Sequence, residues 1–154
     1  MAYAKDTSVS VEKTEGDIKS VLRRYKATAM ATFEGPDYAV IAFEMQDRRI
    51  TMRLPLPDRN SDEFRYTPSK KWARSEADQL KAWEQECRSR WRALYLCIRA
   101  KLESVEAGIE TFEDAFLAHI QMPDGHTVSD HVRERIRLAY ETNNMQPLLP
   151  GPGA

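Results

Sequence analysis

Three histidines, His119, His126 and His131, fall within thirteen residues and are interleaved with Asp114, Asp124 and Asp130. Imidazoles and carboxylates so close together suggest a metal centre, but the spacing matches neither an H-E-x-x-H pair nor any paired-cysteine ligand set. His119 reads instead as a helix-face residue, and His126 and His131 as residues flanking a helix start. Cys87 and Cys97 lie ten residues apart in one expected helix, about 15 Å from Cα to Cα, too far for a disulfide. Both read as free thiols at or beside an apolar seam, where cysteine usually serves as a small hydrophobe. There is no G-x-S-x-G, phosphate loop or dinucleotide fingerprint. These features point to a non-enzymatic binding protein with neither metal nor cofactor.

The arginines carry the stronger signal. At 100° per residue, Lys81, Arg88, Arg92, Tyr95 and Arg99 fall in a narrow stripe beside the apolar seam of the longest expected helix. Cations at this spacing can meet successive phosphates, and an interleaved tyrosine can stack on a base, as in single-stranded nucleic-acid binding. Lys70, Lys71 and Arg74 extend the positive region before the helix, and Arg48, Arg49 and Arg53 form a second cluster among the strands. The plainer alternative is a solvated face whose arginine stems cover apolar surface and whose heads pair with acids, such as Glu84 four residues before Arg88. For the second cluster it is a charged turn and an edge strand guarded against pairing. Trp83 and Trp91 belong to the seam and read as core anchors, leaving Trp72 as the exposed aromatic.

The elements that must hold these residues follow from periodicity. Thr7 to Glu12 alternates like a short strand. Thr14 and Asp17 give a capping signal for a helix carrying Ile18, Val21, Leu22 and Tyr25, ending near Lys26. Three strands follow, separated at Gly35-Pro36-Asp37 and Gln46-Asp47-Arg48, as an antiparallel meander. Ala39, Ile41, Phe43 and Met45 line one face of its central strand; Tyr38, Val40 and Ala42 make the other too apolar to be wholly wet, and the long helix is the expected cover. Ser75 and Asp78 cap that helix, of roughly 28 residues, with Leu80, Trp83, Cys87, Trp91, Leu94, Ile98 and Leu102 recurring every three or four residues. Its length suggests that it extends past the sheet or packs on a second copy. Thr111 and Asp114, then Thr127 and Asp130, open two further helices.

The expected fold is therefore α+β: a small antiparallel sheet in the order strand, helix, strand, strand, strand, followed by a long helix and two C-terminal helices. A chain of 154 residues supports one domain. It divides into a sheet part (1–57), an exposed loop (58–74), a helical part (75–145) and an extended tail (146–154). The net charge of −1 hides a gradient, with ten Lys/Arg against seven Asp/Glu in 61–103 but three against eight in 104–154. This permits either a local anionic partner or self-association through opposite patches. No secretory signal or membrane-spanning run is present, which makes the cytoplasm the expected compartment.

Ser-Val-Ser-Val-Glu-Lys at 8–13, Leu-Pro-Leu-Pro-Asp at 54–58, Arg-Trp-Arg-Ala-Leu at 90–94, Lys-Leu-Glu-Ser-Val-Glu-Ala-Gly-Ile at 101–109, Phe-Leu-Ala-His-Ile at 116–120 and Leu-Leu-Pro at 148–150 together resemble a group of small uncharacterised proteins encoded by tailed bacteriophages and prophages. The resemblance covers nearly the whole chain and implies expression inside a bacterial host cell. It brings no catalytic residues with it. The expectation is a phage protein that binds single-stranded DNA in replication or recombination. The alternative is a protein that binds and blocks a host defence system, in the manner of an anti-CRISPR protein.

Overall fold

Ser10 sets where the first helix begins, because its hydroxyl accepts from the Lys13 N–H and so satisfies one of the unpaired donors of a helix start. In the computed structural model, which describes residues 3–69 and 72–152, this cap opens α1 (Val11–Arg24). The expected strand at Thr7–Glu12 is thus absent: residues 7–10 belong to no ladder, and Val11 and Glu12 are already helical. Thr14 is not the cap but a fully buried residue inside the helix. Val11, Thr14, Ile18, Val21 and Leu22 make one continuous inward stripe, and burying it outweighs a six-residue alternation with no strand beside it.

The meander is as expected from the alternation. Strands β1 (Ala29–Glu34), β2 (Tyr38–Met45) and β3 (Arg48–Pro55) pair antiparallel in that order. Gln46 and Asp47 both adopt left-handed conformations (φ 49° and 59°), the backbone a two-residue hairpin needs to match strand twist. Ala39, Ile41, Phe43 and Met45 of β2 and Ile50 and Met52 of β3 are all buried on one face.

That inner face carries α1 and α3 (Glu76–Glu106), which pack on each other as well. The Ser75 hydroxyl accepts from the Asp78 N–H at the start of α3, and its 31 residues span about 46 Å. Cys87, Trp91, Leu94, Ile98 and Leu102 fill the core from this helix. Trp91, 1% exposed, contributes most; truncation to alanine would cost about 3–5 kcal/mol. This seam is thus spent within the chain. The long helix does not cover the outer face of the sheet, contrary to expectation.

Gly108, at φ 75°, closes α3 with the Ile109 N–H donating back to the Ser104 carbonyl. Then α4 (Phe112–Phe116) inserts Phe116 edge-on against Phe43, with centroids 5.7 Å apart, and a single 3-10 turn (Leu117–His119) leads to Ile120, which bridges to Ile50 beside β3. Where an exposed loop was expected, the short α2 (Asp62–Arg65) buries Phe64, and Tyr66 bridges to Ala73. A reciprocal Thr127–Asp130 capping box opens α5 (Val128–Thr142), which buries none of its residues. The tail returns along it, with Arg135 donating to the carbonyls of Pro147 and Leu149. No helix among the described residues is long and apolar enough to cross a membrane.

Candidate binding surfaces

On α3 the basic stripe forms as the helical spacing requires, but α1 and the N-terminal segment take up much of it. Arg92 lies 2.8 Å from the Asp17 carboxylate of α1 and 4.2 Å above the Tyr95 ring, and both charged side chains are about three-quarters buried. Two cations hold the Asp17 carboxyl below the ordinary carboxylate range, first through the Lys13 hydrogen bond and then through that of Arg92. Tyr95 packs against the core and accepts from Arg99 at 3.4 Å. Arg88 is half-buried and donates to Gln85 Oε1 at 3.2 and 2.6 Å, while the Gln85 amide donates to the carbonyls of Lys5 and Thr7. Its partner is therefore Gln85 and not Glu84. Lys81 and Arg99 are the exposed members. The tyrosine expected to stack on a base is instead occupied by Arg92.

The second cluster divides in the same way. Arg48 pairs with Glu113 at 2.7 Å and Arg49 with Glu44 at 2.6 Å, whereas Arg53 makes no ion pair among the described residues. Its guanidinium lies 4.1 Å from the centre of the Tyr38 ring. Lys70 and Lys71 lie outside the described residues; Trp72 beside them is 72% exposed.

Arg53 belongs to a surface that sequence spacing did not bring out. The ladder registers put Ala29, Ala31 and Phe33 of β1, Tyr38, Val40, Ala42 and Glu44 of β2, and Arg49, Thr51, Arg53 and Pro55 of β3 on the outer face. Among the described residues no helix packs there. Phe33 is 58% exposed and its ring centre is 5.8 Å from that of Tyr38, tilted by 34°. Tyr38 leans over Gly35 so closely that a Cβ at Gly35 would run into its ring. Phe33, Tyr38 and Arg53 thus form a band across all three strands at one end of the sheet. At the other end the Glu44–Arg49 pair and the Thr51–Gln121 hydrogen bond close the face off. Phe33 and Arg53 come from segments twenty residues apart, and only the register places them together.

The histidines do not converge on a metal site. His131 Nε2 is 2.7 Å from Asp124, and the His126 ring sits edge-on to that of His131. A backbone hydrogen bond from His126, followed by the charges of the two histidines, lowers the Asp124 pKa. Burial lowers that of His119, which lies apart from them. Among the described residues no group of three metal-ligating side chains occurs.

Of the other sequence candidates, Cys87 and Cys97 are both free. Burial pushes the Cys87 thiol up to about 11, so it is protonated at neutral pH and a poor nucleophile. Trp83 donates its indole N–H to the Pro57 carbonyl at 2.9 Å, fixing the chain where it leaves the sheet.

The chain matches no protein-family model, no curated protein and no solved structure in comparisons with each, so its own geometry carries the functional argument.

Proposed function

We propose that this protein binds single-stranded nucleic acid on the outer face of its sheet, with Phe33 as the stacking surface and Arg53, seated over the Tyr38 ring, as the adjoining cation. What carries the reading is the exposed Phe33 ring beside a half-buried Tyr38 that seats an arginine, on a sheet face that no other element among the described residues covers. Bases stack on aromatic rings with little regard to sequence, and arginine adds phosphate attraction and stacking of its own. Arg49 lies at the opposite end of this face, paired with Glu44, and Arg48 lies beyond it at the hairpin. The α3 stripe lies on the other side of the sheet, so Lys81 and Arg99 would not meet the same stretch of strand. A role in phage DNA replication or recombination agrees with this chemistry.

The decisive experiment is titration of a labelled single-stranded oligonucleotide at low salt. Phe33→Ala should weaken binding by about 1–3 kcal/mol, Tyr38→Ala should weaken it by unseating Arg53, and Arg53→Ala should weaken it and flatten the salt dependence. Arg92→Ala should leave the affinity unchanged. Wild-type protein that produces no shift would end the proposal.

One observation favours a protein partner instead. Arg48, Arg49 and Arg92 are already neutralised by acids within the chain, which lowers the attraction for phosphate. An apolar sheet face flanked by internal ion pairs also suits a flat protein surface, as an inhibitor of a host defence protein would need. Recovery of a single stoichiometric host protein, insensitive to nuclease and lost with Phe33→Ala, would favour this second reading.

A further inference from the structure

We infer that β1 is an interface strand, pairing antiparallel with β1 of a second copy to make one continuous six-stranded sheet across a two-fold axis. The inference rests on the backbone. The Gly35 N–H donates to the Tyr38 carbonyl at 2.8 Å, which makes that pair a hydrogen-bonded one in the β1–β2 ladder. Hydrogen-bonded pairs alternate along an antiparallel ladder. Phe33, Ala31 and Ala29 therefore direct their N–H and C=O groups towards β2, and Met30, Thr32 and Glu34 direct theirs away from it. Among the described residues no strand or bridge meets that outer edge.

Open edges are normally guarded, and the two edges of this sheet differ in that respect. The β3 edge carries Arg48, Arg49, Arg53 and Pro55 and is bridged by Ile120 at Ile50. In β1 the sequence is Ala-Met-Ala-Thr-Phe-Glu, with its one charge at the end, no proline and no positive φ. Such a strand is open to pairing with another chain.

A second copy of the same strand fits it well. A two-fold axis at Thr32 sets Thr32 opposite Thr32 and lets the outward groups of Met30 and Glu34 exchange hydrogen bonds with those of Glu34 and Met30 in the other copy. On the outer face, each Phe33 then lies opposite the other copy's Ala31, large against small, and no like charges face each other. An isologous pairing closes on itself and leaves no further β1 edge exposed. The two Phe33–Tyr38–Arg53 bands would then lie on one continuous surface.

The test is sedimentation of the full chain over a concentration series, without nucleic acid, so its outcome is separate from that of the binding proposal. Wild type should show a monomer–dimer equilibrium. In Thr32→Pro the lost N–H is one that points away from β2, so the internal ladder stays intact. Dimerisation should weaken at least about tenfold while circular dichroism is unchanged. Ala31→Asp, at an exposed position, should do the same by setting a charge against the facing Phe33, and it keeps the test valid if proline perturbs the strand. Arg53→Ala on the far edge should leave the equilibrium alone. A wild-type monomer at every concentration, or a dimer indifferent to both β1 substitutions, overturns the inference.

Discussion

Thr14 is fully buried in α1, and its hydroxyl has no hydrogen-bond partner among the described residues. A buried hydroxyl left unpaired has lost water without compensation, so the isosteric Thr14→Val should stabilise the fold by about 1 kcal/mol in a denaturant melt. A hydroxyl that contributes through an undetected partner would give the opposite sign. This position also shows the limit of reading single residues from sequence. Thr14 followed by Asp17 has the form of a cap, but Ser10 takes that role because the apolar stripe continues one turn further back, through Val11. The true caps at Ser75, Thr111 and Thr127 were legible because each directly precedes its apolar periodicity. The sheet-face site was not, since Phe33, Tyr38 and Arg53 share no period; turn geometry and ladder register bring them together.

At the scale of elements, the Arg92–Asp17 pair joins α3 to α1 at their outer seam. The Asp17 pKa is lowered in the folded chain, so the associated stability is present above the ordinary value of 3.8 and is lost as pH falls through the lower folded value. Unfolding midpoints of wild type and Asp17→Asn should therefore differ at neutral pH and converge in strong acid. The effect should be small and weakened by salt, because the pair is partly solvated. A gap that persists in strong acid would mean that Asp17 contributes through packing and not through its charge. The wheel projection gives the stripe on α3, and the reading of arginine heads paired with acids describes Arg92, while Arg48 and Arg49, read as a charged turn and a guarded edge strand, have acid partners the sequence reading did not name. The projection gives the direction of a side chain about its own helix and nothing about what stands opposite. Asp17 comes from an element seventy-five residues earlier, and no local pattern announces it.

For the whole molecule, the α+β class and the order of the three strands, α3, α4 and α5 were legible because alternation and 3.6-residue periodicity are strong there, whereas the short α2 was not. Which face of the sheet the long helix would cover was not, because both faces of β2 are apolar and only the packing of α1 decides between them. The packing is also uneven. The core gathers α1, the sheet, α3 and α4, while α5 buries no residue and is joined to the body through the Gln121–Thr127 bridge and the Val128 N–H bond to the Ile120 carbonyl. A fifteen-residue helix with so little burial depends on its capping box, the Arg137–Glu141 pair, the returning tail and its contact with the 3-10 turn. Its opening therefore need not await that of the core. In native-state hydrogen exchange, the amides of 128–142 should exchange with a free energy well below that of β2 and α3 and with little dependence on denaturant, as for a unit that unfolds by itself. Exchange of α5 at the global rate would mean that its few contacts are cooperative with the core. An α5 that opens ahead of the core would make the protein two thermodynamic units on one chain, and a partner that orders the C-terminal one would be detected as slowed exchange there even if it left the melting of the sheet untouched.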